Sequence, residues 1–203
     1  MVFDLPAPEQ QDSKSLVGSI AARRSVREYT NAPLPIGVLS QLLWSAQGVT
    51  GPDTKRATPS AGGLYPLHLK ILVQRVSELE PGIYDNHSLK LTGNRVPEGA
   101  VQALGIGDQP WLKEAALVIG VAAKLGEAIQ HFEAQPPQGA RGARYVYMET
   151  GALAQNVHLQ STALGVGCVL VAGFDDPRVK EVLRLPADLD PTALLCIGLR
   201  RDA

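Results

Sequence analysis

This chain is poor in the residues that staple, stack or ligate. Its 203 residues include two cysteines, Cys168 and Cys196. Both lie in apolar runs that read as strands, with no neighbouring His and no metal-ligand spacing. They read as buried thiols of a reducing compartment rather than as a disulfide or a nucleophile. Three Phe, five Tyr and two Trp are too few aromatics for a base-stacking surface. The net charge of −1 exerts no global pull toward nucleic acid, so the arginines have to be read locally. His68, His87, His131 and His158 show no ligand spacing, and no metal site is expected. No apolar run approaches the roughly 20 residues needed to span a bilayer. The start, MVFDLPAPEQQDSKS, lacks a basic segment followed by an apolar core, so it does not read as a signal peptide. These absences together predict a cytoplasmic protein with neither nucleic acid nor membrane as partner.

What is present is ordinary globular composition, 45% hydrophobic and 19% charged. Its length suits one domain. Residues 1–14 read as a polar, Pro-containing arm that could wrap a partner, and residues 15–203 as the domain. Ser15 is placed to cap a helix running to about residue 24, with Leu16, Val17 and Ile20 on one face. A second helix follows Pro33 and Pro35, with Leu39, Leu42, Leu43 and Ala46 at helical spacing and Gly48 as its stop. Residues 50–66 are a loop dense in Gly, Pro, Ser and Thr. A strand over 69–73 leads to a hairpin, with Gly82-Ile83-Tyr84 as one arm, Asp85-Asn86 in the turn region and Leu89-Lys90-Leu91 as the return. Short helices are predicted over 101–104, 126–132 and 177–185, and strands over 115–122, 168–171 and 193–197.

The longest helix is predicted from about residue 145 to 164, ended by Gly165 and Gly167. Its apolar positions Met148, Ala152, Leu153, Val157, Leu159, Ala163 and Leu164 cover more than one stripe. That predicts a helix covered on two sides, with Leu153 and Val157 on a face shared with a second subunit. Glu149 and Gln155 of the same helix read as polar interface residues. The order of elements argues for an α+β layer fold with a mainly antiparallel or mixed sheet.

Four segments could carry chemistry. Arg23-Arg24-Ser25-Val26-Arg27 packs three guanidiniums and a hydroxyl into five residues. In an extended segment Arg23, Ser25 and Arg27 point the same way and suit a phosphate, a polyol and a pyrimidine in turn. The same residues also suit a solvated helix end, where arginines complement the C-terminal dipole. Thr58-Pro59-Ser60-Ala61-Gly62-Gly63-Leu64-Tyr65-Pro66 is a loop whose paired glycines permit positive φ and close approach to a flat ligand; an ordinary pre-strand loop has the same composition. Ala172-Gly173 ends a strand, as a simple turn would, and could offer a backbone N–H. Arg200-Arg201 follow the last strand, as a phosphate clasp or a basic tail. Phosphate at one end and a planar ring at the other describe flavin mononucleotide (FMN). No dinucleotide or Walker loop competes. Gly165-Val166-Gly167 follows a helix and precedes a strand, the reverse of a Rossmann turn, and lacks the third glycine.

At these residues the chain resembles the FMN-dependent nitroreductase family, and within it the SagB-type dehydrogenases that oxidise azolines in peptide natural products. The resemblance is carried by Arg23-Arg24-Ser25-Val26-Arg27-Glu28-Tyr29, Leu42-Leu43-Trp44-Ser45-Ala46-Gln47-Gly48, Pro59-Ser60-Ala61-Gly62-Gly63-Leu64-Tyr65-Pro66 and Gly82-Ile83-Tyr84. It continues through Gly151 with Ala154-Gln155-Asn156, Ala163-Leu164-Gly165-Val166-Gly167 and Gly173-Phe174-Asp175-Asp176. These come in family order across nearly the whole chain from Leu16 onward. They decide the open alternatives for the arginines and the loop in favour of a ligand.

The resemblance implies a three-layer fold and an intertwined homodimer with two FMN sites at its interface. It implies that Arg23, Ser25 and Arg27 hold phosphate, ribityl and pyrimidine, and that Pro59, Ser60, Ala61, Gly62 and Gly63 line the flavin of the other subunit. Ala172 and Gly173 would face N5, and Arg200, with Arg201, the phosphate. NAD(P)H or an organic molecule would be the donor, and a nitroaromatic, quinone or enone the acceptor. The alternatives are a SagB-like dehydrogenase of a natural product and a flavin-binding partner without turnover. Many family members carry Asn where this chain has Gly63, a departure shared with the SagB-like subgroup. No catalytic acid or base is identified.

Overall fold

The computed structural model describes residues 5–9, 15–51, 53–86, 90–93, 96–97 and 99–201. Six strands form one antiparallel sheet: β1 (Leu67–Val73), β2 (Gly82–Asp85), β3 (Lys90–Gly93), β4 (Leu117–Ala123), β5 (Val166–Val171) and β6 (Asp190–Leu199). Their spatial order is β3-β2-β1-β4-β6-β5, so β5 is an edge. The helices are α1 (Leu16–Ala22), α2 (Ile36–Gln47), α3 (Trp111–Glu114), α4 (Leu125–His131), α5 (Arg141–Ala163) and α6 (Asp176–Val182). Leu89, assigned to the hairpin return, lies outside the described residues.

Both sheet faces are buried. Leu69, Ile71 and Ile119 join Leu39 and Leu42 of α2 and Val146, Leu153 and Val157 of α5 in one core. Leu72, Val118 and Leu194 point the other way, to Leu112 of α3 and Val179 of α6. Helices on either side of a sheet make the expected three layers. Because β4 is covered on both faces, it reads as an unbroken apolar run, Leu117-Val118-Ile119-Gly120-Val121-Ala122-Ala123, every residue buried. Cys168 and Cys196 are free thiols inside this core, and burial pushes both thiols up.

Local signals explain most boundaries. The Ser15 side chain accepts the Gly18 N–H at 3.0 Å and starts α1. Gly165, at φ 75°, ends α5. Gly167 does not help to end it; it is the second residue of β5. The helix also begins four residues before the expected start, at Arg141. Gly142 lies inside α5, where a Cβ would sit 2.3 Å from the Ala128 carbonyl oxygen. Glycine is there to let α4 and α5 meet.

Two other expectations are corrected. Leu153 and Val157 are fully buried inside their own chain, so they are core and not a face open to a second subunit. Bare apolar groups on helices are Leu16, Val17 and Ile20 of α1 and Tyr147 and Met148 of α5, each more than half exposed, as are Val49 and Ile106 in loops. Residues 5–9 pack on α2 of the same chain. The Glu9 N–H donates to Gln41 Oε1 at 2.8 Å, and the Ser40 hydroxyl donates to the Pro6 carbonyl. The rest of the arm, 1–4 and 10–14, lies outside the described residues.

Candidate functional site

A pair of facing glycines sets the site's geometry. Gly167 of β5 lies opposite Gly198 of β6. A Cβ at Gly167 would meet Val26 Cγ1 at 2.7 Å, and one at Gly198 would meet Tyr29 Cγ at 2.7 Å. The missing side chains leave a depression that receives Val26 and the buried Tyr29 ring. The Tyr29 hydroxyl lies between the carbonyl oxygens of Val26, 2.7 Å, and Cys196, 2.9 Å, and burial raises its pKa far above the ordinary value. The Val26 N–H donates to the Cys168 carbonyl at 2.9 Å, and Tyr29 bridges to Arg200. The arginine segment is thereby tied to β5 at Val26 and to the end of β6 at Tyr29 and Thr30.

The arginines then separate by what they touch. Among the described residues the guanidiniums of Arg23 and Arg200 have no hydrogen-bond or ion-pair partner, and both residues lie near the start of β5. The charge of Arg23 bears on Cys168 and on His158 of α5. Arg200 follows Leu199, the register partner of Val166. Arg27 places its guanidinium 5.2 Å from the centre of the Trp111 ring, a cation–π contact, and Ser25 is exposed. Arg24 turns back onto the helix end, donating to the Ala21 and Arg23 carbonyls at 3.0 and 2.8 Å. Arg201 is also committed, 3.6 Å from Glu28, 3.5 Å from Glu114 and 3.3 Å from the Tyr29 carbonyl. Neither Arg24 nor Arg201 is free in the way Arg23 and Arg200 are.

Ala172 and Gly173 lie at the far end of β5 and are exposed. At about 3.3 Å per residue, that strand separates them from the Arg200 end by roughly 20 Å. The Gly173 carbonyl accepts from the Ile106 N–H at 3.0 Å and from Gln109 Nε2 at 2.7 Å, while its own N–H has no partner among the described residues. Gln109 is a residue the sequence reading missed. It lies 64 positions from Gly173, with no motif to mark it. The edge of β5 thus carries unpaired cations at one end and an open backbone donor with an amide beside it at the other. These residues fit a mononucleotide bearing a planar ring.

The loop of residues 59–63 forms a separate part. Ala61–Gly63 is a single 3-10 turn with Gly62 at φ 62° and Gly63 at φ 69°, the left-handed conformation the paired glycines predicted. Pro59, Gly62 and Gly63 are exposed. The loop is tied to α5, where Asn156 donates to the Ala57 carbonyl at 3.3 Å and the Ala61 N–H donates to Glu149 Oε1 at 2.8 Å, and to α2, where the Thr58 hydroxyl donates to the Ala46 carbonyl at 2.7 Å. Among the described residues of one chain no hydrogen bond joins it to Arg23, Ser25 or Arg27. Glu149 therefore has its partners in its own subunit and not across an interface, whereas Gln155 is exposed. Burial raises the Glu149 carboxyl above its usual range, against the lowering effect of the Ala61 N–H and the Ser60 hydroxyl. His158 is buried, and its pKa is lowered by that burial and by the charge of Arg23.

An antiparallel sheet with helices on both faces is an α+β three-layer fold, and the edge strand of this one has two unpaired guanidiniums near one end. The chain belongs to the Nitroreductase family, whose model matches residues 20–199. It is 35% identical over 188 residues to a protein of Methanocaldococcus jannaschii named as a nitroreductase, covering 90% of each chain. It is 25% identical over 198 residues to an NADH dehydrogenase of Thermus thermophilus, covering 87% of this chain and 82% of that one. A crystal structure from Ralstonia eutropha JMP134, also named as a nitroreductase, superposes with a TM-score of 0.78 at 26% identity, covering 97% of this chain and 88% of the other. Among more distant folds, at 16% identity and a TM-score of 0.63, is an FMN-dependent nitroreductase of Clostridium difficile R20291, which matches 92% of this chain and 88% of its own. Among the described residues, no helix is long and apolar enough to cross a membrane.

Proposed function

We propose that this nitroreductase-family chain is an FMN-dependent oxidoreductase that works as a homodimer. It would take hydride from NAD(P)H or an organic donor and pass electrons to a nitroaromatic, quinone or enone acceptor. The observation that carries this reading is the pair of partnerless guanidiniums, Arg23 and Arg200, at one end of an edge strand whose other end exposes Ala172 and Gly173.

Arg23 and Arg200 would hold the phosphate by charge-assisted hydrogen bonds. Ser25 would reach the ribityl chain, and Arg27, braced on Trp111, would reach the pyrimidine. The Gly173 N–H would donate toward N5, with Gln109 fixed beside it by its bond to the Gly173 carbonyl. Flavin, when bound, supplies the reversible acceptance of hydride; the chain's part is positioning and electrostatics. A cation near the pyrimidine favours the electron-rich reduced ring. Residues 59–63 would line the flavin of the second subunit, with Gly62 and Gly63 exposing backbone to the ring face. The bare apolar faces of α1 and α5 support the dimer.

Purified protein tests the reading. It should be yellow and release FMN on denaturation, not FAD, by chromatography. It should oxidise NADH or NADPH faster when a quinone or nitroaromatic is added. An apoprotein that takes up no FMN refutes the assignment, and FMN without NAD(P)H turnover supports a binding partner instead. Gly63, shared with the SagB-like subgroup, favours one second reading, dehydrogenation of a natural-product ring. Azoline peptides as electron donors would test it.

A further inference from the structure

We propose that Glu149 is the positioning residue of the flavin-lining loop, a carboxylate on α5 that staples both ends of the loop so that it meets the cofactor in one fixed shape. The inference rests on the reading that residues 59–63 line a flavin.

Three observations carry it. The carboxylate is buried, 7% exposed, and accepts the Ala61 N–H at 2.8 Å across 88 residues of sequence. The Ser60 hydroxyl donates to the same carboxylate. The Ser60 oxygen in turn accepts the Tyr65 N–H at 2.8 Å. A single acid side chain therefore holds Ala61 directly and Tyr65 through one hydroxyl.

What it holds is a backbone that would not keep this shape unaided. Gly62, Gly63 and Tyr65 all have positive φ, and for Tyr65, at φ 50°, that is a strained conformation. The Tyr65 ring is pinned from the other side by Arg56, whose guanidinium lies 4.7 Å from the ring centre. Gly62 has no side chain to lock it; a Cβ there would reach Phe132 at 3.4 Å and His131 at 3.8 Å. Two glycines in succession give the free chain many conformations, and binding a flat ligand would have to freeze them. A buried charged acceptor at the loop's start meets that entropy cost in advance. No counter-cation pairs with Glu149 among the described residues, so an acid buried at this cost is explained by what it holds.

The test titrates FMN into wild type, Glu149→Gln, Glu149→Ala and Ser60→Ala apoproteins. Binding is read by quenching of flavin fluorescence and by visible circular dichroism, which reports the asymmetry imposed on the ring. The Gln variant keeps an oxygen that accepts the Ala61 N–H and should bind within about threefold of wild type. The Ala variant loses a charge-assisted bond and should bind about tenfold more weakly or worse, with an altered dichroism spectrum and an apoprotein melting curve close to that of the Gln variant. Ser60→Ala should fall between them. Glu149→Ala binding as tightly as wild type overturns the proposal. So does loss of FMN by both Glu149 variants in step with loss of melting temperature, which would make the residue a general fold anchor. A wild type that takes up no FMN overturns the flavin reading itself, and is seen before any variant is compared.

Discussion

Replacing Arg23 or Arg200 with Ala separates a ligand site from a basic surface. Neither guanidinium has a hydrogen-bond or ion-pair partner among the described residues, so its removal should change apoprotein stability by no more than about 0.5 kcal/mol, as for other surface positions. If each donates to a phosphate, the loss is that of a hydrogen bond to a charged group, about 1.5–3 kcal/mol. That is a weakening of roughly ten- to 150-fold in FMN affinity. Arg24 and Arg201 are the internal controls. Arg24 serves its own helix end. Arg201 sits in exposed pairs with Glu28 and Glu114, where such pairs contribute about 0–1 kcal/mol.

The expected pattern is therefore two variants that lose flavin while their melting curves hold, and two that keep flavin. Titration followed by fluorescence quenching gives the affinities, and scanning calorimetry of the apoproteins gives the melting curves. Unchanged affinity in both Arg23→Ala and Arg200→Ala removes these residues from the site. Equal weakening in all four variants means that net positive charge, and not this geometry, attracts the cofactor.

Other outcomes follow from the packing. Met148→Glu or Val17→Glu, on bare apolar faces of α5 and α1, should halve the mass seen by light scattering and release FMN; a wild-type monomer retaining full FMN refutes the shared site. Leu153→Ala, in the core at 0% exposure, should cost about 2–5 kcal/mol in denaturant unfolding, with no loss of dimer at temperatures where it stays folded. Gly142→Ala forces a Cβ to within 2.3 Å of the Ala128 carbonyl and should cost about 1–3 kcal/mol or more; an unchanged midpoint would mean that the α4–α5 contact is looser than described. His158 contributes a pH dependence of definite sign. Its pKa is lowered by burial and by Arg23, so below the ordinary value of about 6.5 the unfolded chain binds a proton that the folded chain refuses. Stability should fall as pH drops through that range, and His158→Phe should flatten the slope.

What was legible in the sequence is what local chemistry decides. Ser15 and Gly165 mark their helix ends because capping and left-handed residues act within a turn; Gly48 ends α2 in extended backbone, where a Cβ would collide with Trp44. Gly62-Gly63 announced positive φ for the same reason as Gly165. The misreadings are non-local. Gly167 reads as a helix stop, yet it is a contact point with Val26. No local rule distinguishes a glycine that ends an element from one that admits a neighbour. Leu153 and Met148 are both apolar residues of one helix, but only the tertiary fold decides that the first is core and the second bare. The partners of Arg201 and Gln109 lie 87 and 64 residues away along the chain. Glu149 gives the sharpest case. From the sequence, Glu149 reads as a polar residue at a subunit interface. The fold supplies instead an N–H and a hydroxyl from a loop 88 residues earlier. The general lesson is physical: a buried charge has to be satisfied, so an acid with no local partner signals a distant segment held in place, here one with positive φ at Gly62, Gly63 and Tyr65.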